Sequence, residues 1–147
     1  MAAFQGSGFV VDLPEGVTDA SSYTFVLPSG EGYAPNLTVR FEAADADSDL
    51  LAHARAEVAR MREALEQFEL LHEESGSRGP LQGVMSTVEW GSGEARLRQR
   101  MLLLLSLTPV PRIYTLIATD LAARAERSDA RFDAMLRSFV PNDLQVH

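Results

Sequence analysis

The fold is decided by residues 22–68, whose sequence is SYTFVLPSGEGYAPNLTVRFEAADADSDLLAHARAEVARMREALEQF. Apolar and polar side chains alternate over residues 22–27 and again over 36–42, which is the period of a β-strand with one buried face. From residue 51 onward the apolar side chains instead recur every three or four positions, as on one side of an amphipathic helix. The stretch therefore predicts two strands joined by a turn, and then a helix over residues 49–67.

Alternate acids between Asp45 and Asp49 mark the start of this helix. The side chain of Ser48 or Asp49 can accept a hydrogen bond from a free amide of the first turn, and the acids lie near the positive end of the helix dipole. Alternate acids also open a calcium-binding EF-hand loop, but that loop needs glycine at its sixth position and glutamate at its twelfth. Leu50 and Ala56 occupy those positions. The acids therefore indicate a helix amino terminus rather than a calcium site.

The rest of the chain adds strands on both sides of this stretch and a second helix at the end. Ser128 is the expected cap of the last helix, and Pro141 is expected to stop it. The further elements are predicted strands over residues 9–13, 68–73, 83–90, 95–107 and 112–118, a loop over 75–80, and a helix over 128–140. The element order β-β-β-α-β-β-β-β-α predicts one α+β domain over residues 1–147. We expect a single antiparallel sheet of about six or seven strands, flanked by two main helices.

Composition excludes several classes of function. The chain has 13 arginines and no lysine against 21 acidic residues, a formal net charge of −8, whereas a nucleic-acid binder needs a basic surface. Without cysteine it forms neither disulfides nor thiolate metal sites. Residues 1–8 lack the basic and apolar regions of a signal peptide. The longest apolar run, residues 101–105, is far below the roughly 20 residues of a membrane span. We therefore expect a cytoplasmic protein that neither binds nucleic acid nor enters a membrane.

Sequence motifs for catalysis or metal binding are missing. His53, His72 and His147 do not have the spacing of metal-binding motifs such as HExxH. The segment Gly91-Ser92-Gly93 lacks the G-x-S-x-G spacing of a nucleophile elbow. No phosphate-binding loop or dinucleotide fingerprint occurs. The chain is therefore predicted not to be an enzyme and to need no cofactor.

The predicted strand over residues 95–107 is more apolar than a half-buried strand should be. It alternates up to Met101, but the four residues that follow are all leucine. A strand that is apolar on both sides must be covered on both sides. Either a helix and a loop cover it, or the face that carries Leu97, Met101, Leu103 and Leu105 meets a second polypeptide.

Several segments, in their order and spacing, resemble the DcrB/Eag family, whose members have a PsbP-like fold with an antiparallel sheet flanked by helices. The segments are FVVDLPEG at 9–16, PNLTV at 35–39, FELL at 68–71, LRQR at 97–100, YTLI at 114–117 and the helix from Phe132 to Phe139. DcrB-like members are lipoproteins with a lipidated cysteine, which this chain lacks. The resemblance is therefore closest to the cytoplasmic Eag chaperones of bacterial type VI secretion.

The resemblance implies a homodimer that binds the apolar amino-terminal transmembrane helices of an effector and delivers the effector for loading. It also implies a partner-binding groove formed by Ser22, Thr24, Thr38, Met61, Leu65, Leu97 and Met101. Ser22 and Thr24 are polar where the family has an aliphatic pair, so the alignment is shifted, the client differs, or the chain lacks the chaperone role. The alternative function is a PsbP-like small-ligand-binding or accessory domain.

Overall fold

The computed structural model describes residues 2–6, 8–18, 20–30 and 32–141. Its elements are β1 (Ala2–Gly6), β2 (Phe9–Leu13), β3 (Ser22–Val26), β4 (Asn36–Ala43), α1 (Leu50–Ala64), β5 (Glu69–Arg78), β6 (Leu81–Trp90), β7 (Leu97–Ser106), β8 (Arg112–Leu121) and α2 (Ala125–Ser138). Short 3-10 turns, Gly93–Ala95 and Ala122–Arg124, precede β7 and α2.

Six of the strands form one antiparallel sheet in the order β3-β4-β8-β7-β6-β5, which confirms the α+β prediction. The remaining two, β1 and β2, pair only with each other in a separate antiparallel ribbon. The predicted order lacked β1 and placed the strand over residues 9–13 in the main sheet. Neither AAFQG nor FVVDL alternates cleanly between apolar and polar residues, so their sequences do not mark a sheet face.

The two helices pack on opposite faces of the sheet. Helix α1 lies over β5, β6 and β7, where its buried Ala54 and Val58 belong to a cluster with Met101 and Leu103. Helix α2 lies on the other face and contributes to a second cluster, whose main members are Leu102, Leu104, Leu116, Phe132 and Leu136. Strand β7 is therefore covered on both faces, by one helix on each. The alternative interpretation, in which the face that carries Leu97, Met101, Leu103 and Leu105 meets a second polypeptide, is wrong for the last three, because they are buried in the α1 cluster. Leu97 is half-buried.

The start of α1 is as predicted, whereas that of α2 is not. Asp49 caps α1, its Oδ1 accepting a hydrogen bond of 3.0 Å from the amide of Ala52. Ser128 was expected to cap the last helix, but α2 already begins at Ala125 and Ser128 lies in its second turn. The Ser128 hydroxyl donates instead to the carboxylate of Asp120. A tertiary hydrogen bond has thus replaced the local one.

The predicted loop over residues 75–80 is mostly strand. Strand β5 continues through Ser75, Gly76 and Ser77 to Arg78, in register with β6, and only Gly79 and Pro80 form the turn. Arg78 also donates to the carbonyl oxygens of Leu136 and Phe139 at the end of α2. Pairing with β6 therefore overrides the turn preference of glycine and serine.

Candidate functional site

The sheet register places the predicted groove strands on one face. Thr24 pairs with Thr38, Thr38 pairs with Ile117, and Ile117 pairs with Met101, so all four side chains point to the same side of the sheet. Ser22 and Leu97 share this side because each lies an even number of residues from Thr24 or Met101. It is the side on which α1 packs. The seven residues predicted as a groove therefore all belong to the α1 side of the molecule.

Helix α1 covers only part of this side. It packs on β5, β6 and β7, whereas β3 and β4 lie beyond it. At one end His53 Nε2 of α1 lies 3.1 Å from Glu42 Oε1 of β4, so the first turn of the helix borders β4. We call the strip of β3 and β4 that lies beside α1 on this side of the sheet the cleft. Its floor carries Thr24 and Thr38, next to Ile117 of β8, which packs against the α1 cluster.

The predicted residues differ in how accessible they are. Ser22 and Thr24 are exposed, while Thr38, Met61, Leu65 and Leu97 are half-buried. Met101 is only 1% exposed and lies in the core beneath α1, so it supports the helix from below. The accessible part of the predicted groove thus consists of the polar strand residues and the apolar side chains of α1 and Leu97.

The floor of the cleft is lined by hydroxyl groups. The Oγ1 atoms of Thr24 and Thr38 lie 3.3 Å apart, within hydrogen-bonding distance. Thr115 and Thr119 of β8 point to the same face and are buried. A threonine hydroxyl both donates and accepts, so this floor can bond to polar groups that an aliphatic floor would leave without partners.

Asp120, which the sequence did not single out, organises the junction between β8 and α2. It is 2% exposed, and its Oδ1 accepts hydrogen bonds of 2.7 Å from Arg124 Nη2 and from the amide of Leu121. Arg124 Nη2 also donates to the carbonyl oxygen of Tyr33, at 2.5 Å. The network ties the turn before β4 to the start of α2, and its role is structural. The sequence did carry a signal for this network. Arg124 follows the acidic Asp120 by four residues, at the end of an apolar strand.

A second network surrounds Glu89 of β6 at the same end of the sheet as Leu97. Arg96 Nε donates to Oε1 at 3.0 Å and Arg98 Nε donates to Oε2 at 2.7 Å. Burial acts to raise the pKa of Glu89, but the hydrogen bonds and charges of Arg98 and Arg96 outweigh it, so the pKa is lowered. Glu89 therefore holds its negative charge in the folded chain and anchors both arginines.

No metal centre accompanies these networks in the described part of the chain. Across residues 2–6, 8–18, 20–30 and 32–141, no three histidine or acidic side chains gather in a group that could hold a metal ion. In the same residues no helix combines the length and the apolar character needed to cross a membrane. His147, one of the three histidines considered above, lies outside the described residues.

A family model for DcrB matches residues 10–138, which is most of the chain. The chain belongs to the DcrB family. No curated protein matches it in sequence. The DcrB-family chain shares its fold with a Pseudomonas aeruginosa protein of unknown function, PA94, described as a putative regulator. The TM-score is 0.76 at 16% identity, over 97% of each chain.

Two further solved structures have a similar fold. The PsbP protein of the cyanobacterium Synechocystis, CyanoP, gives a TM-score of 0.52 at 13% identity, over 88% of this DcrB-family chain and 98% of CyanoP. The Ran-binding protein Mog1p of Saccharomyces cerevisiae gives 0.51 at 16% identity, over 80% and 69%. The expected PsbP-like fold is thus confirmed.

Proposed function

We propose that this DcrB-family chain is a cytoplasmic effector chaperone of the Eag type. It binds the apolar amino-terminal helices of a type VI secretion effector and delivers the effector for loading, by contact alone and without a cofactor. The observation that carries the proposal is that the hydroxyl groups of Thr24 and Thr38 lie on the same side of the sheet as α1, where half-buried Met61 and the C-cap residue Leu65 add apolar side chains.

A membrane helix in water exposes apolar side chains and also carries groups that form hydrogen bonds. The two sides of the cleft offer one kind of contact each. Such a helix exposes apolar side chains, which Met61 and Leu65 can cover, and methionine adapts to varied apolar shapes. The hydroxyls of Thr24 and Thr38 can bond to serine or threonine side chains on the docked helix, or to its outer carbonyl oxygens. The polar floor therefore favours a client helix that carries small or hydroxylated residues on its docked side.

Protein binding is compatible with this fold. Mog1p, which has a similar fold, is a Ran-binding protein. We further propose that the chain acts as a homodimer, as the family resemblance implies. The protein-binding role of Mog1p supports a binding role for this chain.

Two alanines of α1 provide a matched test of the cleft. Ala64 lies eleven residues, or three helical turns, after His53, and therefore on the same side of the helix as the residue that contacts Glu42 of β4. Ala59 lies six residues after His53 and points away from the cleft. Both are exposed. Replacing either by arginine preserves helix propensity, so only the position of the new charge differs.

The experiment is co-purification with the amino-terminal fragment of an effector encoded beside this chain. We expect Ala64→Arg to reduce retention of the fragment about tenfold or more, because docking would bury an unpaired guanidinium. Ala59→Arg should retain the fragment like the unmodified chain, and both variants should keep the same melting temperature. Equal retention by the two variants would place the client elsewhere, and failure of the unmodified chain to retain any fragment would refute the chaperone role.

A further inference from the structure

Strand β5 forms one edge of the six-stranded sheet. In the described part of the chain it pairs with β6 alone, so one side of its backbone has no strand beside it. The strand is ten residues long and contains no proline, and after an irregularity between Leu70 and His72 its register with β6 is regular as far as Arg78. Alternate amides and carbonyls of an edge strand point outward and can pair with another extended chain. The second half of β5 is therefore open to strand addition.

A small apolar pocket lies beside this edge, on the α2 side of the sheet. Gly76 of β5 pairs with Gly83 of β6, which in turn pairs with Leu104 of the α2 cluster. Neither glycine has a side chain, and a Cβ atom added at Gly76 would meet no atom within 4 Å. We call the resulting space the edge pocket. Its apolar lining comes from Met85, Leu102 and Leu104.

The edge pocket has room for one side chain rather than for a separate ligand. Its volume of about 160 Å³ is below the roughly 300 Å³ at which small-molecule sites begin, and close to the roughly 150 Å³ of an apolar cavity that binds benzene. Met85 is half-buried, and Leu102 and Leu104 are buried. An aromatic ring from a neighbouring strand can cover the backbone of a glycine in an edge strand. The edge pocket therefore suits a phenyl ring carried by an added strand.

The charges at the two ends of the edge pocket differ in availability. Arg78 donates to the carbonyl oxygens of Leu136 and Phe139 at 2.6 and 3.0 Å, so its guanidinium is directed at the end of α2. At the other end the side chain of Glu74 is 72% exposed, and its Oε2 atom lies 3.3 Å from Nε2 of the exposed His72. The accessible charge beside the pocket is thus the carboxylate of Glu74, which complements a basic side chain.

We propose that the free edge of β5 binds an extended segment of another protein by antiparallel strand addition. All neighbouring strands of the sheet are antiparallel, so the added strand continues the existing pattern. The segment carries an aromatic residue opposite Gly76, whose ring enters the edge pocket, and a lysine or arginine two positions later, opposite Glu74. The edge pocket lies on the face of the sheet opposite the cleft, and this inference does not rest on the proposed chaperone role.

The probe for this site is a fluorescein-labelled peptide of sequence TVSVFTRVT, in which phenylalanine and arginine have the required spacing. Fluorescence anisotropy with the full chain should show saturable binding. Gly76→Val should weaken binding about tenfold or more, because the new side chain occupies the pocket, while valine is well suited to a strand. Ser75→Val is the matched control. It adds the same side chain to the same strand on the opposite face, and it should leave the affinity unchanged.

Two further peptides test the residues assigned to the partner. With alanine in place of phenylalanine, the peptide should bind the unmodified chain about tenfold more weakly, and Gly76→Val should weaken it little further. With glutamine in place of arginine, the peptide should be insensitive to Glu74→Gln. The same substitution should weaken the arginine peptide about twofold to fivefold, which is the range of an exposed ion pair.

Three results would overturn the proposal. The first is the absence of saturable binding up to about 1 mM peptide. The second is an equal loss of affinity in Gly76→Val and Ser75→Val, with melting temperatures showing that both variants are folded. The third is a dimer of the free chain, seen by sedimentation, that Gly76→Val converts to a monomer, because the edge would then belong to a second copy of the chain.

Discussion

At the scale of single residues, one arginine forms several hydrogen bonds at once that a lysine in its place could not form. Arg96 donates to Glu89 through Nε and to the carbonyl oxygens of Gln67 and Gly91 through Nη1, at 3.0 and 2.8 Å. These bonds fix the turn before β5 and the end of β6 with a single side chain. A lysine ammonium is one point charge and cannot occupy these directions at once. The arginine-only composition thus has a structural use here.

The ion pairs of Glu89 with Arg96 and Arg98 are expected to make the stability of the folded chain depend on pH in the acidic range. Its folded pKa is lowered from an ordinary value of 4.5, so its contribution is present above about pH 4.5 and is lost as the pH falls through the folded pKa. We expect Glu89→Gln to lower the free energy of unfolding at pH 7 by about 1 kcal/mol. The difference from the unmodified chain should shrink below pH 4.5.

Urea unfolding at a series of pH values measures this difference. Glu94→Gln, at an exposed position in the turn before β7, is the control and should change stability by less than about 0.5 kcal/mol at every pH. A Glu89→Gln difference that stayed constant down to pH 3 would contradict the lowered pKa.

At the scale of elements, β7 shows what a hydrophobic pattern can and cannot decide. The leucine run predicted correctly that the strand is covered on both faces. It could not identify what covers the second face, because either a helix or a partner chain can satisfy an apolar surface. The structure resolves this through Phe132 and Leu136 of α2, which lie far along the chain from β7.

The two faces of β7 predict matched losses of stability. Leu103 is 0% exposed in the cluster under α1, and Leu104 is 2% exposed in the cluster under α2. Replacing either by alanine should cost about 2 to 5 kcal/mol of unfolding free energy, because the packed surroundings leave a cavity. Leu107→Ala, at a 44% exposed position just after the strand, should cost less than about 1 kcal/mol.

Chemical denaturation of the three variants tests whether both helices are firmly packed on β7. A small loss for Leu103→Ala together with a large one for Leu104→Ala would mean that α1 is not firmly packed on the sheet. Large losses for both, with a small one for Leu107→Ala, would agree with a strand held between two helices.

At the scale of the whole molecule, the sequence predicts which side of the sheet a residue faces better than it predicts which distant segments meet. Thr24, Thr38 and the apolar side of α1 come from two strands and a helix that are consecutive along the chain, so alternation and helical spacing already assign them to faces. The rings of Tyr114 and Phe139, by contrast, lie 5.4 Å apart between centroids although one belongs to β8 and the other follows α2. Only the packing of α2 against the far side of the sheet brings those residues together, and no local pattern records it.

The proposed homodimer is a further property of the whole molecule. Each copy has a net charge of −8, so two copies repel each other at low ionic strength, where the screening length is roughly 30 Å in 10 mM salt and 10 Å in 100 mM. We expect the attraction to come from apolar surface. Phe9, Val10 and Val11 of the ribbon are 55%, 67% and 43% exposed, and an isolated two-stranded ribbon is only marginally stable.

Sedimentation equilibrium at micromolar concentration tests whether apolar attraction outweighs the charge repulsion between two copies. We expect a dimer whose association tightens as salt increases, because screening weakens the repulsion and leaves apolar burial unchanged. Val10→Asp should weaken the dimer, since it adds a charge to the apolar ribbon, whereas Val110→Asp at a 50% exposed loop position should not. A monomer at all salt concentrations would contradict the homodimer. A dimer weakened by salt would indicate an interface built on ion pairs instead.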